Sequence, residues 1–377
     1  MNGSIRRRSK DSWELTIDLG KDASGKRLRK FVAVKGTKVL AQQKLREILA
    51  SLDKGLPVDV GKIDLTGFLR RWLEDYVRPN TRPRTAERYE SDIRLHIVPV
   101  LGHVQLSKLA PADIQSMEAR LLESGKSARS VQHVHAVLRE ALKHAMRWGL
   151  TFRNVAEGID PPRSRRPEIN PPDAESVWRI LGLADETPYR TALHFMAFTG
   201  CRRGEALGLR WSDIDLENGA ASIVQSLQRL KGKGLEFEPP KSAKSRRAIA
   251  LDSSTIDLLR EHRGNQLLRQ VEMEGAYIDQ GLVFPGPQGG PLDPSVLTRN
   301  FEKLVKRAGL QGVRLHDLRH FHATMLLQQG TNPKIVQERL GHSSFAVTMD
   351  TYSHVVPGLQ EQAAKDFASA MGRARRA

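Results

Sequence analysis

Five prolines cluster in residues 157–172 and divide this chain into two stretches of different pattern. Proline lacks a backbone N–H and has a fixed φ, so such a cluster disfavours helix and sheet. Proline-rich segments act as semi-rigid spacers. We therefore expect a basic linker over residues 161–172 between separately folded regions. The prolines and the intervening arginines are Pro161, Pro162, Arg163, Arg165, Arg166, Pro167, Pro171 and Pro172.

Upstream of the linker, residues 62–160 carry apolar residues at helical spacing. Phe68, Trp72 and Tyr76 fall at i, i+4 and i+8, which predicts the apolar stripe of an amphipathic helix. The same periodicity recurs along the region and predicts an all-helical domain. The other helices are predicted from Thr85 through Tyr89, Ile93 and Leu95, from Pro111 through Ile114, Met117, Leu121 and Leu122, and from Val131 through Val134, Leu138, Leu142, Ala145 and Trp148 to Gly149.

Residues 1–61 are expected to form a separate small domain. Alternation over residues 13–19, a turn at 22–25 and a returning strand at 29–34 predict antiparallel strands. Thr37 is expected to cap a following helix. Residues 1–46 hold 13 Lys and Arg against 4 Asp and Glu. This charge fits a nucleic-acid-binding sheet, and a solvated basic tail is the alternative.

Downstream of the linker, residues 173–356 mix helical and strand patterns, and residues 357–377 form a tail. The tail repeats apolar residues at Leu359, Ala363, Phe367 and Met371. The pattern predicts an α+β domain followed by a segment that packs on another protomer. Predicted helices span 174–183, 189–198, 203–209, 294–308, 318–329 and 334–340, and predicted strands span 222–230 and 246–251, with a turn at Gly232 and Gly234.

The chain of 377 residues carries a formal net charge of +17. That charge indicates a polyanionic partner; nucleic acid is the first candidate and an anionic membrane surface is the alternative. No apolar stretch is long enough to span a membrane, and no apolar core follows the first arginines as a signal peptide requires. The single cysteine, Cys201, cannot form an internal disulfide, which fits a reducing cytosol.

Five polar motifs follow one another in the C-terminal half and supply the groups that a phosphodiester exchange needs. Tyrosine can act as a nucleophile that stays attached to the cut end. Arginines can stabilise charge on phosphoryl oxygens, while histidine and lysine can move protons. The motifs are FTGCRRGE around Arg202, PPKSAKSRR around Lys241, HDLRH from His316 with Arg319, LGHSS around His342 and DTYSHV around Tyr352.

Other interpretations apply to single residues of this set. Arg202 could form only an intrahelical salt bridge with Glu205, at i+3. Lys244 could replace Lys241 as general acid, or both could merely contact a DNA backbone. His316 and His320 have metal-ligand spacing, but no H-E-x-x-H pattern or second cysteine supports zinc.

The complete set resembles the tyrosine recombinase (phage integrase) family. The resemblance runs from about residue 65 to residue 356, with Arg202 in T-G-x-R, His316 and Arg319 in H-x-x-R, and His342 in L-G-H. It implies that Arg202, Lys241, His316, Arg319, His342 and Tyr352 are catalytic, Tyr352 being the nucleophile, with no metal and no other cofactor. It implies a multidomain, mainly α-helical fold with small β-sheets. The implied domains are a sheet-plus-helix arm-binding domain (1–61), a SAM-like core-binding domain (62–160) and a mixed α+β catalytic domain (173–356).

The resemblance also implies what the protein does. A member of this family is expected to cut and rejoin double-stranded DNA at attachment sites through a 3′-phosphotyrosine intermediate. It would act as a homotetramer, with or without an excision or DNA-bending helper protein, in the cytoplasm and nucleoid of a bacterium carrying a phage or mobile element. The alternatives are a type IB topoisomerase, a catalytically silent DNA-binding regulator and a metal-dependent nuclease.

Overall fold

The computed structural model describes residues 3–21, 27–53, 63–151, 153–164, 170–240, 246–342, 344–345, 348–349, 364–365, 367–368 and 371. The chain separates into two compact units, Met1–Arg166 and Pro167–Ala377. Within the described ranges, no helix combines the length and apolar character needed to cross a membrane. The predicted turn at 22–25 and most of the predicted tail lie outside the described residues. Phe367 and Met371 of that tail are described and are exposed.

The first residues of unit 1 form an antiparallel three-stranded sheet, in the order β1-β2-β3, with one helix packed on it. Alternate residues of β2 face this helix, so Leu15 and Ile17 are fully buried against Ala41 and Leu45. The sheet and helix were predicted, but β1 was not, because its consecutive arginines hide the alternation. The elements are β1 (Gly3–Ser9), β2 (Ser12–Lys21), β3 (Arg27–Lys35) and α1 (Lys38–Asp53).

Residues 63–164 are helical and pack around a core that contains Phe68 and Trp72. The Trp72 ring stacks on Tyr76 and Tyr89 at centroid distances of 6.5 and 5.7 Å. The helix predicted from Thr85 begins two residues earlier, at Pro83, whose fixed φ suits the first helical turn. The helices are α2 (Leu65–Trp72), α3 (Arg78–Asn80), α4 (Pro83–Asp92), α5 (Val98–Leu101), α6 (Pro111–Glu123) and α7 (Ala128–Arg147), with π-helical turns at Leu73–Val77 and Ile93–Ile97.

Unit 2 packs seven helices of its described residues around two small antiparallel sheets. Its core includes Phe195 and Phe301, both fully buried. The helices are α8 (Ala174–Ala184), α9 (Arg190–Thr199), α10 (Arg203–Leu207), α11 (Ser253–Glu272), α12 (Pro294–Arg307), α13 (Asp317–Gln328) and α14 (Pro333–Leu340). The strands are β4 (Ile214–Asp215), β5 (Ala220–Ile223), β6 (Ser226–Leu230), β7 (Gly234–Glu238) and β8 (Arg247–Ala250).

The segment predicted as one strand over residues 222–230 is two strands in two different sheets. β5 pairs with β4 and β8, whereas β6 forms a hairpin with β7. The chain changes sheet at Gln225, whose side-chain amide donates to the carbonyl oxygen of Gly208 at 2.7 Å. A Cβ at Gly204 would lie 2.7 Å from the carbonyl oxygen of Leu227, so this glycine lets β6 lie directly against α10.

Helix α11 is absent from the sequence prediction although it has 20 residues. Only Thr255 and Leu259 are buried along it. Leu267, Leu268 and Val271 are apolar but exposed. Because the apolar residues do not share one buried face, the helix lacks the periodic stripe by which a helix is recognised in a sequence.

Candidate active site

A left-handed glycine at the end of α9 positions Arg202. Gly200 has φ 64°, a conformation that residues with a Cβ rarely adopt. A Cβ there would also lie 2.7 Å from Leu340 Cδ2 and 2.8 Å from His322 Cδ2. The T-G-x-R motif therefore ends one helix, turns the chain against α13 and α14, and places Arg202 immediately before α10.

Glu205 holds Arg202 by two hydrogen bonds. The Arg202 backbone N–H donates to Glu205 Oε2 (2.9 Å) and its Nη1 donates to Oε1 (2.7 Å). Arg202 Nη2 also donates to the carbonyl oxygen of Gly341 (3.3 Å). The salt bridge with Glu205, which was the alternative interpretation of Arg202, is therefore present. The Arg202 side chain is nevertheless 42% exposed, so it can also contact a ligand.

The helix that follows Arg202 contributes less to anion binding than its position suggests. α10 has only five residues, and its dipole is correspondingly short. The backbone N–H of Arg202, immediately before the helix, already donates to Glu205. The Arg202 guanidinium is therefore the main anion-binding group that this segment offers.

Burial raises the pKa of Glu205, but hydrogen bonding and charge from Arg247 and then Arg202 outweigh it and lower the pKa to about 2. Arg247, on β8, donates from Nη2 to Glu205 Oε2 at 2.8 Å. Both side chains of this ion pair are less than a tenth exposed. Glu205 is therefore a carboxylate at all physiological pH values and a fixed anchor for Arg202.

Arg319 lies on the first turn of α13, and His316 is the residue immediately before this helix. Arg319 is 3% exposed, and its Nη1 donates to the carbonyl oxygen of Gly200 at 2.8 Å. Burial lowers the pKa of His316 to about 4, helped by His320, Arg319 and Arg202. The His316 and His320 rings meet edge to face with centroids 5.0 Å apart. At neutral pH His316 is consequently an uncharged imidazole.

The third segment reaches the site through Gly341, at the end of α14. Gly341 has φ 66° and is followed by His342. The Nδ1 atom of His342 lies 2.8 Å from the hydroxyl of the buried Thr348. Burial lowers the pKa of His342 to about 3, with Arg319 and Arg202 as further causes. Like His316, this histidine is neutral at pH 7.

The structure therefore brings together four of the six predicted site residues, from three segments of unit 2: Arg202, His316, Arg319 and His342. Lys241 lies in the stretch between Pro240 and Arg246 that is outside the described residues, and so does its alternative, Lys244. Tyr352 is also outside them. Among the residues that are described, no group of three or more His, Cys, Asp or Glu side chains could hold a metal ion. Two guanidinium groups beside neutral imidazoles form a site suited to a phosphate group.

Two further arginines support this cluster: Arg339 lies outside the sequence motifs, and Arg247 ends the PPKSAKSRR motif but was given no role from the sequence. Arg339 donates from Nε to His322 Nε2 at 3.0 Å, from Nη1 to Ala250 O at 2.9 Å and from Nη2 to Phe198 O at 3.2 Å. Arg247 bonds to Glu205. A buried arginine within a strand runs against the pattern of apolar alternation, so only its position in SRRAIAL, just after the lysine segment, could have drawn attention to it.

Two family matches cover most of the chain. Residues 173–357 match the phage integrase family, and residues 65–122 match the phage integrase N-terminal SAM-like domain. A protein from Caldanaerobacter subterraneus named tyrosine recombinase XerC-like is 30% identical over 368 residues, which cover 92% of this chain and 93% of that protein.

Solved structures share the fold. The Tn1549 transposon integrase in complex with a circular intermediate DNA superposes with a TM-score of 0.67 at 20% identity, over 81% of this chain and 100% of that one. A lambda integrase tetramer bound to a Holliday junction gives a TM-score of 0.58 at 19% identity, over 90% of this chain and 95% of that one. The predicted fold class, multidomain and mainly α-helical with small sheets, is confirmed.

Proposed function

Because the chain belongs to the phage integrase family, it is a tyrosine-type site-specific DNA recombinase, and we propose that Tyr352 is its nucleophile. The Tyr352 oxygen attacks the scissile phosphorus and forms a new ester bond. The bond to the 5′ oxygen breaks, and Lys241 protonates that leaving oxygen. The 5′ hydroxyl of a partner strand then attacks the phosphotyrosine and releases the tyrosine. Each bond broken is replaced by one of the same kind, so no ATP is needed.

The convergence of Arg202 and Arg319 carries this proposal. Each guanidinium is fixed from behind, by Glu205 for one and by the carbonyl oxygen of Gly200 for the other. A guanidinium held in this way can stabilise the charge that develops on the phosphoryl oxygens without reorganising. We assign both arginines to the non-bridging oxygens of the scissile phosphate.

The neutral state of the two histidines supports the rest of the assignment. With its pKa lowered to about 4, His316 is uncharged at neutral pH, so one of its ring nitrogens carries a lone pair that an imidazolium lacks. We assign His316 to accept the proton of Tyr352, with Lys241 as the alternative. His342, whose Nδ1 faces Thr348, keeps its second ring nitrogen for a hydrogen bond to a phosphate oxygen.

The remaining parts of the chain are assigned to holding DNA. The basic domain over residues 1–61 binds arm-type sites, residues 62–160 and 173–356 bind the core site, and residues 161–172 join them. By analogy with the lambda integrase tetramer on a Holliday junction, four protomers pair two attachment sites, with residues 357–377 contacting a neighbouring protomer. A bacterial host cytoplasm is the proposed location, and an excision or bending helper is a further proposed partner.

The test is an SDS-resistant protein–DNA adduct formed in EDTA on DNA that flanks the protein's own coding region. Wild type and Tyr189→Phe, the matched control in the same unit, are expected to form the adduct, and Tyr352→Phe is not. An adduct that persists in Tyr352→Phe would identify another nucleophile. Tight binding without an adduct, even on a nicked trapping DNA, would favour the silent regulator. Cleavage that EDTA abolishes would indicate a nuclease, and relaxation without recombination a topoisomerase.

A further inference from the structure

Arg247 lies next to the cluster and contacts two of the segments that build it, the start of α10 and the end of α14. From β8, its Nη2 donates to Glu205 Oε2 (2.8 Å), next to α10, and its Nε donates to the backbone carbonyl oxygen of Arg339 (2.7 Å), on α14. The Arg247 side chain is only 6% exposed. It is thus an internal group, and its Nε and Nη2 atoms both bond to other protein groups.

Arg247 and Arg339 exchange hydrogen bonds between β8 and α14. Arg247 donates to the carbonyl oxygen of Arg339, and Arg339 Nη1 donates to the carbonyl oxygen of Ala250, at the other end of β8. Because each arginine reaches the backbone of the opposite element, the two bonds fix the end of α14 against the strand. This end carries Gly341 and His342.

The Arg247 guanidinium packs against Gly341, a residue that also binds Arg202. A Cβ at position 341 would lie 2.8 Å from Arg247 Nη1 and 3.1 Å from its Cζ, so the guanidinium packs on the bare face of this glycine. The carbonyl oxygen of the same glycine accepts from Arg202 Nη2. Both groups that hold the Arg202 guanidinium, Glu205 and Gly341, are therefore themselves held by Arg247.

We propose that Arg247 is a positioning residue for strand cleavage, which fixes Glu205 and Gly341 so that Arg202 meets the scissile phosphate in the correct orientation. This inference rests on the proposed function, in which Arg202 binds that phosphate. A displacement of about 1 Å at a reacting group can lower a rate by about 10²-fold. Arg247 would act in this way through Arg202, without touching the DNA.

The charges around Glu205 make the role of Arg247 measurable. Glu205 faces Arg202 beside α10 and Arg247 on β8, and the groups near Arg247 are His342, Arg339 and the thiol of Cys201. Burial raises the pKa of Glu205, and the two arginines bonded to it lower that pKa. When Arg247 is replaced by an apolar residue, only Arg202 remains to lower it. The pKa of Glu205 must then rise, and a protonated Glu205 no longer holds Arg202 by charge.

The test measures covalent-complex formation by the full-length protein at saturating attachment-site DNA between about pH 5 and 8. Arg247→Met is compared with Arg247→Lys and with Arg246→Met, an exposed neighbour that controls for the lost positive charge. We expect Arg247→Met to cut about 10²-fold more slowly at pH 7 with nearly unchanged DNA affinity, and to lose further activity as the pH falls. Arg247→Lys keeps the positive charge, so its cleavage rate should not show the added fall at low pH. It should recover only part of the rate, because a single ammonium group cannot reproduce both hydrogen bonds of the guanidinium, to Glu205 and to the carbonyl oxygen of Arg339.

A second comparison tests whether the further loss of activity at low pH comes from protonation of Glu205. Arg247→Met combined with Glu205→Gln should be slow at every pH, without the added loss in acid. A loss that persists in this double variant would place the titrating group elsewhere, for instance at His342, and overturn the charge argument. Wild-type rate and profile in a folded Arg247→Met protein would overturn the inference as a whole. If wild type itself formed no adduct, the proposed function would fail instead, which keeps the two failures distinct.

Discussion

Replacing Glu205 with glutamine should destabilise unit 2 by an amount that depends on pH. The pKa of this carboxyl falls from an ordinary 4.5 to about 2 in the folded protein. Each pKa unit corresponds to about 1.4 kcal/mol, so the ionised form contributes about 3 kcal/mol to the free energy of unfolding. Loss of one member of a buried ion pair typically costs about 3–5 kcal/mol, which is the same order.

The pH dependence of the free energy of unfolding follows from the direction in which the pKa of Glu205 is shifted. Because the folded pKa is depressed, the stabilisation is fully present above the unfolded pKa of 4.5 and is lost as the pH falls towards 2. Glu205→Gln should therefore be about 3 kcal/mol less stable than wild type at pH 7, and the difference should fall to less than about half of that near pH 3.

The assay has to report unit 2 separately from unit 1. Pulsed hydrogen exchange along a urea titration, measured in peptides from α9 and β8, gives the unfolding of this unit in the full-length chain. Glu236→Gln, at an exposed position on β7, is the control and should change stability by less than about 0.5 kcal/mol. A Glu205→Gln difference below about 1 kcal/mol at pH 7, or one that stays constant down to pH 3, would refute the reasoning.

Three further predictions concern other parts of the chain. Arg202→Ala should slow covalent-complex formation by roughly 10²–10³-fold, since it removes a donor to the developing charge; a near-normal rate would mean that the site is misplaced. Trp72→Ala should cost unit 1 roughly 3–5 kcal/mol by pulse proteolysis, because the ring is fully buried and stacked; a loss under about 1 kcal/mol would contradict the packing. Deletion of residues 1–56 should weaken arm-site binding and its salt dependence in gel-shift assays, yet leave cleavage of preformed core complexes intact. Unchanged arm binding would mean that this sheet-and-helix segment does not bind arm sites.

The elements that the sequence predicted well have one buried face. α7 was predicted because its apolar residues recur at helical spacing, and α6 because Pro111 marks its first turn. α11 was missed since its apolar residues point partly to solvent, and β1 since three arginines interrupt its alternation. The break between β5 and β6 was missed because Gly208 and Gln225, which turn the chain there, act through contacts distant in sequence.

The candidate site also has residues that the sequence predicted and features that it did not. Arg202, His316, Arg319 and His342 were predicted from short motifs, and the structure places them together. Arg247 serves the site through Glu205 and Gly341, and such indirect roles depend on distances that no local pattern encodes. The protonation states of the histidines were equally inaccessible, because burial and neighbouring arginines set them.

The bond between Arg202 and Gly341 joins residues that the ribosome adds far apart in time. Gly341 follows Arg202 by 139 residues. At about 5–20 residues per second, roughly 7–30 s separate the synthesis of the two ends of this bond. A nascent chain therefore contains Arg202 well before it contains the carbonyl oxygen that accepts a hydrogen bond from the Arg202 guanidinium. A chain that stops before Gly341 cannot hold Arg202 in the orientation that the full-length protein gives it.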